Sequence, residues 1–172
     1  MSLSALVRQI PDFPKPGILF YDITTLLADA DGLRELVDLM GAQYEGADVD
    51  MVVGMEARGF ILAPTLAYRL NAGFVPVRKP NKLPGATASV SYELEYGADE
   101  LHVHLGAIRP GMKVLICDDL LATGGTAAAT IQLVEEQGGI VVGCAFAIEL
   151  TFLGGRERLS KYETFSAISY DS

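Results

Sequence analysis

Apolar and polar positions recur along this chain in two rhythms, and the changes between them predict its elements. Short, almost wholly apolar runs (VDMVVGM, GFVPVRK, KVLICDD and IVVGCAFAIEL) read as buried strands, with TFSAIS closing the chain as another. Between them the apolar spacing is helical. Leu33, Leu36, Val37 and Met40 mark a helix capped by Asp31 and running to about Tyr44. ARGFILAPTLAYRL predicts a second helix, which Pro64 is expected to kink or to start late. GTAAATIQLVEEQ predicts a third, stopped by Gly138 and Gly139, and a short one follows near 155–161. Strands alternating with helices predict an α/β fold, a mainly parallel twisted sheet flanked by helices. SYELEYG and ELHVHLGAI are strand-like, and the polar PNKLPGATAS before them is expected to be mobile. Residues 1–27 differ from the rest. LSALVRQI predicts a short amphipathic helix, PDFPKPG a stiff irregular stretch, and GILFYDITTLL an extended piece and a turn.

Composition narrows the class. The 172 residues, half of them apolar and 20% charged, suit a single domain with a sizeable core. No apolar run approaches the roughly 20 residues of a membrane span, and MSLSALVRQIPDF lacks the apolar centre of a secretory signal. The net charge of -9 and pI of about 4.6 argue against nucleic acid as the main partner, since phosphate backbones need a basic face. Cys117 and Cys144 sit in apolar runs and read as core thiols. With the acidity and the missing signal they predict a reducing cytoplasm. His102 and His104 face one side of a strand, without metal-ligand spacing to the cysteines.

In parallel sheets ligands gather at the carboxyl ends of strands, here 55–59, 78–82 and 118–126. The last is the most informative. VLICDDLLATGGT ends an apolar strand on Asp118 and Asp119 and opens a helix on glycines flanked by threonines. The N–H groups of Ala122, Thr123, Gly124, Gly125 and Thr126 suit a terminal phosphate, which a helix start favours. The lysine of a Walker loop is absent. The two carboxylates then address a sugar diol or Mg²⁺. VVGMEARGF is a second strand–loop–helix anion site with Arg58 at the helix start, and Arg78, Lys79 and Lys82 form a basic cluster in an acidic chain.

VLICDDLLATGGT resembles the phosphoribosyl-pyrophosphate (PRPP) signature of the type I phosphoribosyltransferases. With PDFPKPGILFYDIT, VVGMEARGF, VPVRKPNKLPG and SYELEYG in that order, the chain resembles the adenine-using members over most of its length, from Pro11 to about Leu159. The resemblance implies the fold of that family, with a small hood at 1–27, a core at 28–172 and a flexible catalytic loop at about 80–97. It implies that adenine and PRPP give AMP and pyrophosphate with Mg²⁺, in a homodimer. Residues 122–126 then hold the 5′-phosphate, and Asp118 and Asp119 face the ribose hydroxyls and help organise the metal. Arg58, Arg78, Lys79 and Lys82 meet pyrophosphate. Arg58 and Glu95 are catalytic, Glu95 as general acid–base beside Tyr96 on the loop. Phe20 stacks on adenine, Leu150 covers its other face, and main chain around Ile18 and Leu19 reads its edge. Met55–Glu56 is the candidate for a strained or cis peptide. Tyr21 departs from the family, which often has arginine there. A 6-oxopurine enzyme and a PRPP-sensing regulator are the alternatives. The absence of lysine and arginine from GIVVGCAFAIELTFLG speaks for adenine over the first, and the acidity against the second.

Overall fold

The computed structural model describes residues 2–94 and 96–172. The apolar runs form a five-stranded parallel sheet in the order β4-β3-β7-β8-β9, from β3 (Met51–Met55), β4 (Gly73–Val77), β7 (Lys113–Leu121), β8 (Ile140–Leu150) and β9 (Thr164–Tyr170). Alternation along these strands sends side chains to two separate cores. Val52, Leu115, Cys117 and Ala145 join one core, with Leu36 and Met40 of helix α2 (Ala30–Ala42) and Leu62 and Leu66 of α3 (Gly59–Leu70). Val53, Ile116, Cys144 and Phe146 join the other, with Leu133 and Val134 of α4 (Gly125–Glu136). With both faces of the sheet covered, the inner strands read as near-continuous apolar runs. Each fully buried large side chain contributes about 1.5–3 kcal/mol.

Several expectations are corrected. Asp29, not Asp31, caps α2: its carboxylate accepts from the Gly32 N–H at 2.7 Å, while Asp31 lies in the first turn and pairs with Arg34. That helix ends at Ala42 rather than near Tyr44, and α3 runs through Pro64 with no late start. LSALVRQI is not one helix. A 3-10 turn at Leu3–Leu6 leads into β1 (Arg8–Pro11), which pairs antiparallel with β2 (Leu19–Asp22). The pairing is a non-local gain that local spacing does not show. Arg8 completes it by donating to Asp22 at 3.0 and 2.5 Å. The Thr24 hydroxyl and Arg8 hold the Asp22 carboxyl down at about 2. The short helix α1 (Thr24–Leu27) follows.

Much of the segment expected as a flexible loop is paired. β5 (Thr87–Glu93) and β6 (Ala98–His104) form an antiparallel ribbon from Thr87↔His104 to Glu93↔Ala98. Val90, Leu101 and Val103 bury against the α4 side of the sheet, which gives the ribbon its register. His102 and His104 serve the ribbon itself, through Thr87 Oγ1 at 3.0 Å and the Pro84 carbonyl at 2.9 Å. Among the described residues no cluster of potential metal ligands forms. Cys117 and Cys144 are buried free thiols, as expected, and burial pushes both up, Cys144 to about 12.

Candidate active site

The carboxyl ends of β3 and β7 lie side by side, because Gly54 pairs with Cys117 in the parallel ladder. β7 runs on to Leu121, so Asp118 and Asp119 stand level with the loop that follows β3. Close approach depends on glycine. A methyl group at Gly54 would stand 2.6 Å from Ala63 Cβ, and one at Gly59 would stand 3.1 Å from Asp118 Oδ1. The start of α3 is thereby pressed against the end of β7.

Arg58 is the N-cap of α3. Its Nε lies 2.7 Å from Asp119 Oδ2, and its guanidinium sits 5.6 Å from the centre of the Phe20 ring. One side chain thus joins the hood to the end of β7, and Phe13 supports Phe20 edge-on at 5.1 Å. The cis peptide of this loop is Glu56–Ala57, one bond later than expected. The sequence marked Glu56 only through its peptide bond and gave its side chain no role. Its Oε1 accepts from the Lys79 N–H at 2.5 Å and lies 3.5 Å from Arg78 Nε. It ties the basic cluster to the Arg58 loop.

Within that cluster, the Arg78 guanidinium lies 5.9 Å from the Phe60 ring and donates to the Lys82 carbonyl at 3.3 Å. Lys79 Nζ pairs with Asp99 and donates to the Tyr92 hydroxyl at 3.3 Å, so it braces the ribbon in this state. Burial lowers the Lys79 pKa, but the hydrogen bonds that it donates to Asp99 and Tyr92 outweigh this and leave it raised. Lys82 is exposed, and so is Tyr96 at the ribbon tip. Glu95 lies outside the described residues.

Beyond Leu121 the chain turns through a cavity of about 90 Å³ lined by 122–126 and by Asp118, Leu120 and Phe146. Gly124 has φ +82 and caps α4. Among the described residues, no backbone acceptor pairs with the N–H groups of Thr123, Gly124, Gly125 or Thr126. These are the free donors of a helix start, and glycine opens the space before them. Leu120 shares the Asp118 face of β7 and lines the same cavity; only its spacing of two from Asp118 could have marked it.

The pair Asp118–Asp119 is asymmetric. Asp119 is occupied by Arg58, whereas among the described residues Asp118 Oδ1 accepts only from the Asp119 N–H at 2.8 Å. Burial, and then the neighbouring Asp119 charge, push the Asp118 carboxyl well above its usual range. A raised carboxyl binds its proton more tightly folded than unfolded. Stability is therefore complete below the ordinary carboxylate value and declines as pH rises through the raised one. We expect Asp118→Asn to melt about 2–4 °C above the parent at pH 8 without ligand, with the gap closing below pH 4, and to lose PRPP turnover. A melting point at or below the parent's at pH 8 would contradict this.

The predicted base residues are divided by β2. Leu19 and Leu150 line a cavity of about 340 Å³ with Ile18, Tyr21 and Phe152. Phe20 points to the opposite face of the strand, toward Arg58. Tyr21 is buried, stacks on Tyr170 with ring centres 3.9 Å apart, and donates to the Ser172 carbonyl at 2.5 Å. It ties the hood to the last strand.

A sheet of this order, an anion cradle after β7 and a carboxylate pair before it define a phosphoribosyltransferase. The family model described as a phosphoribosyl transferase domain matches residues 24–169. The chain is 59% identical to the adenine phosphoribosyltransferase of Acidobacterium capsulatum, over 98% of this chain and 93% of that one. It superposes on the crystal structure of the Thermoanaerobacter pseudethanolicus enzyme of that name with a TM-score of 0.94 at 50% identity, covering 98% of each. It likewise superposes on the Saccharomyces cerevisiae enzyme, complexed with adenine and an imino-altritol bisphosphate, at 0.91 and 41% identity, covering 96% of each. The chain belongs to the adenine phosphoribosyltransferase family, with its type I fold.

Proposed function

We propose that the chain transfers the 5-phosphoribosyl group of PRPP to N9 of adenine, giving AMP and pyrophosphate. The observation that carries the reading is the row of N–H groups at 123–126 that are unpaired among the described residues, next to an Asp118 with no cation partner among them. The cradle takes the 5′-phosphate and Asp118 takes the ribose hydroxyls. Asp119 acts by fixing Arg58, which faces pyrophosphate with Arg78, Lys79 and Lys82. The carboxylates of Asp118 and Asp119 fit Mg²⁺, a hard cation that takes oxygen ligands, and would help hold it beside the substrate. When bound, Mg²⁺ neutralises charge on the pyrophosphate oxygens. The chain's own groups orient the sugar, stabilise the leaving group and shield an oxocarbenium-like centre from water. Adenine lies under the hood against Phe20, its edge read by main chain at Ile18 and Leu19, with Leu150 walling the cavity behind.

Glu95, next to Tyr96 in the sequence, acts as the acid–base group. The 1–172 chain acts as one unit, hood and core together, in the cytoplasm and as a homodimer. Supporting the dimer, α3 leaves Ile61 47% and Tyr68 91% exposed on one helical face. Among the described residues no helix is long and apolar enough to cross a membrane.

The test is pyrophosphate release from PRPP and Mg²⁺ with adenine, hypoxanthine, guanine, xanthine or uracil. Adenine should exceed every other base by at least about 100-fold in kcat/KM, the scale on which mismatched polar groups discriminate. Hypoxanthine above adenine would overturn the base assignment, and no turnover with any base would favour a sensor. Glu95→Gln should lower kcat by about 100-fold with KM for PRPP little changed.

A further inference from the structure

The phosphate cradle has no lysine, and two carboxylates stand beside it. The cations around it are mostly committed. Arg58 is held by Asp119 at 2.7 Å. Arg156 is bidentate on the buried Glu149 at 3.0 and 2.5 Å and also donates to the Thr164 carbonyl at 2.6 Å. Arg158 is different. Among the described residues it has neither an ion-pair nor a hydrogen-bond partner.

Its position is nevertheless fixed. Arg158 ends helix α5 (Gly155–Arg158), which the Arg156–Glu149 pair pins to β8. Gly155, three residues earlier, packs directly on the loop. A methyl group there would stand 3.0 Å from Leu121 Cδ1, and one on Gly124 would stand 2.7 Å from the Gly155 carbonyl. Residues three apart share a helix side, so Arg158 emerges beside the cradle. Its Nη1 would stand 3.4 Å from a methyl group on Gly125, the first residue of α4. The bare Gly125 leaves the guanidinium room to lie over the helix start. Glu135 and Glu136, across the groove that Arg158 borders, are engaged by neutral donors. Tyr162 holds Glu135 at 2.6 Å and Gln132 holds Glu136 at 2.9 Å.

We propose that Arg158 supplies the positive charge that the lysine-free loop lacks. It lies behind Gly125 and strengthens binding of the dianionic 5′-phosphate by its charge through the loop, as a positioning residue. The inference rests on the reading of 122–126 as the 5′-phosphate cradle. A helix start contributes only about half a charge, and a guanidinium beside it adds a whole one at short range.

The test compares the wild-type protein with Arg158→Ala, Arg158→Lys and Gly124→Val. AMP affinity is measured by calorimetry, and KM for PRPP, KM for adenine and kcat by pyrophosphate release. Arg158→Ala should weaken AMP and raise KM for PRPP by roughly tenfold, with kcat and KM for adenine unchanged. The deficit should shrink at about 0.5 M salt, where charges are screened. Arg158→Lys should recover most of it, because charge is what matters. Three outcomes would overturn the proposal: less than a twofold change in AMP affinity, no rescue by lysine, or a parallel fall in kcat and melting temperature. If Gly124→Val abolishes AMP binding while Arg158→Ala leaves it intact, only the role of Arg158 fails. If both bind AMP normally, the cradle reading fails with it.

Discussion

Gly124→Val should abolish PRPP turnover, lowering kcat/KM by at least about 100-fold, and should reduce AMP affinity to a similar degree. Two independent costs meet at this position. Gly124 has φ +82, a conformation that costs an L-residue roughly 1–2 kcal/mol, and a β-branched residue tolerates it least. The added Cβ would also stand 2.7 Å from the Gly155 carbonyl oxygen, a backbone atom. That atom cannot retreat easily, because Arg156 and the buried Glu149 lock α5 in place. The loop must therefore move, and the N–H groups at 123–126 lose their common aim. Hydrogen bonds to a charged group contribute about 1.5–3 kcal/mol each, so loss of two is sufficient for the predicted effect. Gly125→Ala makes the contrast. Its φ is not positive, and the new methyl group meets only side-chain atoms, Arg158 Nη1 at 3.4 Å and Thr123 Oγ1 at 3.9 Å. Its loss should stay under about tenfold, close to the Arg158→Ala effect. Steady-state kinetics and AMP calorimetry on the two variants check both statements, and equal losses would show that backbone conformation is not the cause.

Arg58→Ala should lower kcat/KM by about 10³, near 4 kcal/mol of transition-state stabilisation. The geometry gives Arg58 two tasks at once. Nε holds Asp119 and the guanidinium lies over Phe20, while in the proposed reaction the same group faces the leaving pyrophosphate. Truncation removes the cation and leaves the Asp119 carboxylate, only 11% exposed, without its partner. That orphan should cost about 1–3 kcal/mol of folding stability, read as a lower urea midpoint. Arg58→Lys should restore little turnover, since one ammonium cannot hold Asp119 and face pyrophosphate together. A lysine variant with near-parent kcat would show that charge alone suffices at this position.

How much of this was legible in the sequence depends on the range of the interactions involved. The five apolar runs announced the sheet because a strand buried on both faces carries its own signal. TGGT after DD announced the cradle because a helix start with glycines is a local arrangement. The limits appear at short range too. Asp29 and Asp31 both offer an N-cap two residues apart, and the backbone geometry of one turn chose Asp29. SYELEYG and ELHVHLGAI show their strand character in the sequence, but the start of the ribbon at Thr87 and its register do not, because Val90, Leu101 and Val103 set them by burial. Leu19, Phe20 and Leu150 came through the family resemblance as one adenine set, yet β2 is a strand and turns Phe20 away from the other two.

The sequence by itself determined the five strands of the sheet and the helices between them, the strand end at Asp118 and Asp119, the glycine-opened helix start after it, and the family. Each is written in neighbouring residues whose backbone preferences or periodicity act locally. Only the tertiary structure decided that Arg58 belongs to Asp119, that Glu56 steadies Arg78 and Lys79, that Tyr21 stacks on Tyr170, and that Arg158 lies over Gly125. Those contacts join elements far apart in the chain. They follow from which strands lie side by side, and that order is fixed by burying both faces of the sheet at once.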